Sequence, residues 1–352
     1  MSYQDGIAAL NLEMPDTVPR TEFSAHFHWD LVNEVTGSNV DSNSGAQVQM
    51  DASNAFINAW NYGFVWDILT HTQIFGDKVT RMGHAEYQQG GVDFDDKIST
   101  LFEDPEDVFE CDMYELYGVR DKKTLTAEYD EHFNTLCAHG RDTVSMTGIY
   151  VSCMSGLIEM LGWDTLLMAA GIDNNEFGEF VNRYAAWIQQ YFDALAASES
   201  PVVMVHDDIV WGNGAFLHPD FYRKYIFPNY KKLLRPLHES GKKIIFTSDG
   251  NYTMFIDDIV DCGVNGFVLE PITDMAYLAE KYGKTHAFVG NVDTNVLLLG
   301  EKSDIESEVK RCMSIGKLCP GFFLAVGNHI PANTPVDNAL YYDEIYRKLA
   351  IR

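Results

Sequence analysis

From residue 200 onward the chain alternates between two hydrophobic patterns. Runs of about five consecutive apolar residues end in polar ones, then apolar residues recur every three or four positions until a glycine intervenes. The first pattern, at 201–205, 243–246, 266–270, 286–291 and 322–326, predicts strands buried on both faces. The second, at 219–237, 252–261, 273–282 and 303–313, predicts amphipathic helices. Strand, polar turn, helix, glycine, strand is the order of parallel strands joined by crossover helices. Three further apolar segments, at 21–27, 63–69 and 144–150, bring the strands to eight. Eight such units predict an α/β fold of the (β/α)8 TIM-barrel type, one domain over 1–352, in preference to an open doubly wound sheet. Residues 1–18 read as a polar N-terminal arm, and the acidic, irregular stretch 79–138 as a long insertion over the barrel mouth. Neither an internal repeat nor a low-complexity segment is present.

Composition narrows the partners. The chain has 352 residues, 25 Lys and Arg against 52 Asp and Glu, and a formal charge of −27, with 46% apolar residues. That apolar content excludes a disordered chain. So acidic a surface repels phosphate, so neither nucleic acid nor a membrane is an expected partner. A polycarboxylate ligand would require a dense local cluster of Arg or Lys. The N-terminus shows no basic segment followed by an apolar one, and no apolar run reaches the ~20 residues of a membrane span, so a cytoplasmic location is expected. The cysteines (Cys111, Cys137, Cys153, Cys262, Cys312, Cys319) lack C-x-x-C or metal-finger spacing and are expected to be reduced, mostly as small buried hydrophobes.

In a barrel of this kind the loops after the strands build the active site. Here the strand ends carry His26 and His28, Asp67, Tyr150, His206-Asp207-Asp208, Asp249, Glu270, Asn291 with Asp293, and Asn328-His329. Asp249 and Asp293 each precede a helix, where capping is an ordinary duty for Asp. Alternation through His26-Phe27-His28-Trp29 would turn both histidines to the lumen and both larger rings to the helices. The aromatic run 221–230 fits the core face of a helix, and Trp211-Gly-Asn-Gly214 a loop tip or lid hinge. No G-x-S-x-G elbow, phosphate loop or G-x-G-x-x-G follows any strand. Histidines among carboxylates suit general acid–base work. His206, Asp249, Glu270 and His329 are also acceptable ligands for a metal such as zinc, and their spacing does not decide between the two.

Several stretches resemble the uroporphyrinogen decarboxylase superfamily: Asp207 to Lys224, Lys243-Ile-Ile-Phe-Thr-Ser-Asp249-Gly, Gly290-Asn-Val-Asp293 and Gly327-Asn-His-Ile-Pro-Ala-Asn-Thr-Pro335. The resemblance implies a (β/α)8 barrel and three branches of activity. Decarboxylases hold eight substrate carboxylates with an Arg-x-x-x-Arg segment on the first strand; here that stretch offers Arg20 alone, with Glu22 close by. Methyltransferases that methylate a thiol use zinc on H-x-C and a later Cys; the matching positions are Thr247, Asp249 and Asn328. The third branch demethylates small methyl donors, methoxylated aromatics among them, and passes the methyl group to cob(I)alamin on a separate corrinoid protein. This chain looks most like that branch, through Ser-Ala-His-Phe-His-Trp29 and Arg81-Met-Gly-His84-Ala-Glu-Tyr. On that resemblance Asp249, His329 and Glu270 are the expected catalytic residues, with Asp249 or His329 the acid and Glu270 or His206 orienting it. His28, Tyr150, His206, Asp208, Asn291 and Asn328 are expected to bind substrate. The 79–138 insertion and the loop 211–215 are expected to dock the corrinoid protein, and a homodimer is common among such relatives. A decarboxylase, a zinc-dependent thiol methyltransferase and a non-catalytic binding barrel are the alternatives.

Overall fold

A computed structural model describes residues 2–80, 86–88, 91–93 and 100–352. Its central ring runs through parallel strands Phe64–Val65, Val144–Ser145 continued by Thr147–Ile149, Val202–His206, Lys243–Thr247, Gly266–Val268, Ala287–Val292 and Phe322–Val326. Arg20 closes it, bridging Tyr62 on one side and Leu324 on the other in parallel register. Counting that segment, eight strands circle the axis, and the expected TIM barrel is the observed one. Alternate residues fill the lumen: Phe64, Met146, Met204, Val268, Val289 and Ala325 face inward. Their neighbours pack against the surrounding helices, which is why the strands read as unbroken apolar runs.

Four expectations need correction. The stretch 21–27 is not a strand: after the Arg20 bridge the chain turns into a 3-10 helix, Ala25–Phe27, and then the helix Trp29–Thr36. The arm 1–18 contains a helix, Ser2–Leu10, whose Ala9 and Leu10 join the lumen core with Ile7 packed on it, so it plugs the barrel floor. Gly6 lies so close to Gly63 that a Cβ there would stand 2.0 Å from the Gly63 carbonyl oxygen. The insertion is shorter than 79–138, because Lys122–Ala138 is a regular barrel helix preceding the third strand. Residues 100–120 lie along the side of the barrel rather than over its mouth: Arg183, on the helix Asn174–Ala197, donates to the carbonyls of Phe109 and Cys111, and Trp187 to that of Gly118. Finally, the helix at 219–237 contains a π-turn, Tyr222–Ile226, directly before Phe227–Glu239. Pro228 follows that turn and has no N–H for the regular ladder, a usual setting for a local widening.

All six cysteines are free, and Cys153, Cys262 and Cys312 are buried. Among the described residues no helix is long and apolar enough to cross a membrane.

Candidate functional site

A cavity of about 590 Å³ opens at the C-terminal ends of the strands, with Met204, Val268, Val289 and Ala325 as its floor. Rings make up much of its wall, with Phe23, Phe27, Trp66, Tyr150, His206 and His329 all lining it.

The strand Val202–His206 and the residues just after it set the polar centre. Alternation sends His206 and Asp208 to one side and Asp207 to the other. His206 Nε2 donates to Asp208 Oδ1 at 2.8 Å, and the same oxygen accepts the Asp249 backbone N–H at 3.1 Å. The Tyr150 ring lies over His206 with centroids 4.1 Å apart, and His71 stacks on Tyr150 at 4.3 Å. Burial opposes a charge on His206, but Asp208, Asp249 and Asp207 together outweigh it, and the imidazole is held above its ordinary pKa. Burial, then the Asp208 and Asp249 charges, raises the Tyr150 phenol far beyond its usual range, so it keeps its proton. His329 is the opposite case: burial pushes it down to about 4. Its ring meets Phe23 edge-on at 4.5 Å.

Asp249, Asn328 and His329 reach the cavity wall, as their strand-end positions predict. Glu270 stands behind them. Its carboxylate accepts the Gly250 N–H at 2.9 Å and the Asn328 side-chain amide, tying together the ends of three strands. Asp208 likewise acts from behind His206 and is buried.

Besides Asp208, two further residues expected to bind substrate do not reach the cavity. His28 caps the helix Trp29–Thr36, accepting the Leu31 N–H at 3.2 Å through Nδ1, and its Nε2 bonds the Thr334 carbonyl at 2.8 Å. The alternation argument failed there because the backbone is not a strand, and only His26 lines the cavity. Asn291 is fully buried outside it, donating to the carbonyls of Glu270 and Thr273 and accepting from Arg311. Asp207 pins the start of the helix Met154–Ile172, accepting the N–H groups of Cys153, Met154 and Ser155, and also bonds the Tyr230 hydroxyl. Asp293 is a helix cap, as its sequence position allowed. The segment 81–87 contributes no described side chain.

Pattern reasoning missed Arg141, His139 and Asn54, which also line the cavity. None of the three lies at a strand end. Arg141 and His139 sit in the connection from a helix into a strand, and Asn54 on a helix.

Of the four suggested metal ligands, His206 and Asp249 come together, joined by Asp208. Their ligand atoms lie within 4.8 Å of one another, a donor set that could hold a divalent cation. Neither Glu270 nor His329 is part of that group.

Arg20, the one arginine on the first strand, has no freedom to meet a ligand. It is fully buried, paired with Glu22 at 2.9 Å and Asp343 at 2.6 Å, with its guanidinium 4.1 Å from the Trp60 ring centroid.

A closed barrel with a ring-lined mouth and an imidazole set among carboxylates is the architecture of a TIM-barrel enzyme. The model of the family described as Uroporphyrinogen decarboxylase (URO-D) matches residues 90–348, and the chain belongs to that family. Uroporphyrinogen decarboxylases of Pelobacter propionicus and Geobacter sulfurreducens are 24% and 27% identical to it over 174 and 161 residues. Those matches cover 49% and 46% of this chain and the same shares of the relatives, so the chain spans about half the length of the curated relatives it matches. A methyltransferase from Methanosarcina mazei superposes over 98% of both chains with a TM-score of 0.63 at 16% identity, a likeness of fold.

Proposed function

We propose that the protein is a methyltransferase that demethylates a small methyl donor, a methoxylated aromatic first among the candidates, and delivers the methyl group to a corrinoid protein. The observation that carries this reading against the family's decarboxylase activity is Arg20. A substrate with many carboxylates needs free cations, and the first-strand arginine is consumed by Glu22, Asp343 and three aromatic rings. The wall supports a compact aromatic ligand instead, since aromatic and imidazole rings surround a space in the size range of small-molecule sites, about 300–1,000 Å³.

Breaking an aryl methyl ether requires a nucleophile at carbon and a proton for the departing oxygen. Cob(I)alamin on the partner protein supplies the nucleophile. A corrinoid macrocycle is too large to descend among the strands and would rest on the rim, where Phe23, Phe27, Trp211 and Met254 are exposed. His206 is the proton source: neighbouring carboxylates raise it above its ordinary pKa, Asp208 fixes the ring, and the Tyr150 ring packs over it. His329, pushed down to about 4, is neutral near pH 7, so the acid expected there moves to His206 while His329 shapes the wall. A divalent cation on His206, Asp208 and Asp249 would displace that proton and polarise the same oxygen.

Single-turnover demethylation with reduced corrinoid protein tests the assignment. His206→Gln should slow methyl transfer by about 10²-fold or more while leaving donor binding intact. The wild-type rate should fall as pH rises through a value above 6.5, the ordinary histidine pKa, because the raised His206 loses its proton there. Wild-type rates in His206→Gln would sink the assignment, and metal analysis of the same preparation separates proton from cation.

A further inference from the structure

The cavity does not end at the polar centre. It continues onto the outer face of the short strand Phe64–Val65, between the helices Ala46–Ala59 and Lys122–Ala138. This lateral wing is lined by His26, Asn54, His139 and Arg141, with Asp67 at its inner end. Most of the unsatisfied polar atoms on the residues lining the cavity belong to this wing, with Thr247 Oγ1 the exception. His26 Nδ1, Asn54 Oδ1, His139 Nδ1 and Arg141 Nε are buried, and each lacks a hydrogen-bond partner among the described residues. His26 and Asn54 retain only 6% and 8% exposure. Buried polar groups are almost always paired, so four orphans around one space mark a site built for something polar. Amide oxygen and nitrogen can exchange places at Asn54, which then offers donors.

The chemistry of that ligand follows from charge. Arg141 is the only Lys or Arg lining the cavity among the described residues. Its one hydrogen bond among the described residues is a long contact, 3.3 Å, to the Leu136 carbonyl. The wing's own carboxylate, Asp67, is held by His132 at 2.7 Å. A guanidinium with neutral imidazoles and an amide around it, and no carboxylate bonded to it, is the donor set for a single carboxylate.

We propose that this wing seats a carboxylate of the small-molecule ligand, with Arg141 supplying the charge and His26, His139 and Asn54 the neutral donors. The inference deepens the methyl-donor reading and rests on it for the ligand's other end. It specifies a donor that bears one acid group, whose methyl-bearing end reaches the His206 centre through the same cavity. The electrostatics agree: burial, and then Arg141, pushes His26 down to about 3, the response of a buried imidazole near a cation.

Calorimetric titration with three probes tests this: 4-methoxybenzoate, benzoate and neutral methoxybenzene. Wild-type protein should bind both carboxylates at least about tenfold more tightly than methoxybenzene, the weight of a charge-assisted contact. Arg141→Gln should erase that preference and leave methoxybenzene binding unchanged, while Arg141→Lys should keep part of it. Equal binding of charged and neutral probes by the wild type, no binding of the carboxylates, or a preference that survives in Arg141→Gln would each overturn the proposal. Should Arg141→Gln not fold, the wild-type comparison decides alone, and His139→Gln, expected to weaken carboxylate binding severalfold, replaces the variant. Because the readout is binding, the outcomes separate. Arg141-dependent carboxylate binding without demethylation leaves the wing standing and removes the methyltransferase reading, and demethylation without it does the reverse.

Discussion

Arg20 and His206 show how one residue type takes its role from its surroundings. A first-strand arginine in this family could serve substrate carboxylates, but Arg20 is enclosed by Trp60, Tyr342 and Tyr346 and neutralised by Glu22 and Asp343. Glu22 is also fully buried and accepts the Tyr342 hydroxyl and the Val326 N–H, so the pair ties the barrel's closing seam to the last helix, Val336–Leu349. Removing one member of such a pair strands the other charge in the interior. Arg20→Met should therefore cost about 3–5 kcal/mol in urea unfolding, and Arg20→Met with Glu22→Gln should recover much of it. Methoxybenzene binding at the mouth should survive in the double variant. A loss below about 1 kcal/mol in Arg20→Met would mean that the arginine is not structural, and would reopen the decarboxylase reading.

At the scale of elements, the floor of the barrel offers a clean experiment. The helix Ser2–Leu10 approaches the second strand where Gly6 meets Gly63, and the atoms a Cβ would strike are backbone, which cannot swing aside. Gly6→Ala should lift the helix and lower stability by about 1–3 kcal/mol. Gly171→Ala, inside the helix Met154–Ile172 with nothing within 4 Å of its new Cβ, should instead raise it by about 0.5–1 kcal/mol. Thermal and urea denaturation of both variants read the difference, and a neutral Gly6→Ala would contradict the close packing. The same element marks where sequence pattern stops being informative. The strands at 201–205, 243–246 and 322–326 were legible within a residue or so, because burial on both faces writes an apolar run. The first strand was not, since only the Arg20 position makes bridges and the following His-Phe-His-Trp alternates by coincidence on a 3-10 turn. Likewise His206, Asp249, Asn328 and His329 could be found as strand ends. Asn291, equally placed, turned out to brace neighbouring loops, and the wing formed by Asn54, His139 and Arg141 carries no periodic signal. Such a site exists only once two helices and a strand meet.

For the molecule as a whole, the charge of −27 sets the terms of any protein partnership. Under the proposed function a corrinoid protein must dock on the rim for every methyl group it receives. Its docking face must then be neutral or basic, since two acidic surfaces would repel at the distances that govern encounter. The exposed rings at the rim supply short-range apolar contact that salt does not screen, whereas the encounter itself acts across several ångströms of solvent and is screened once the Debye length falls to about 10 Å near 0.1 M. These two contributions separate kinetically. Stopped-flow mixing with reduced corrinoid protein should show a second-order association rate that drops by about tenfold or more between 0.02 and 0.3 M salt. The first-order transfer rate within the formed complex should stay nearly constant, because its His206 proton source and ring-lined wall lie inside the barrel mouth. An association rate indifferent to salt would place the docking face away from the acidic surface and exclude electrostatic steering as the means of encounter.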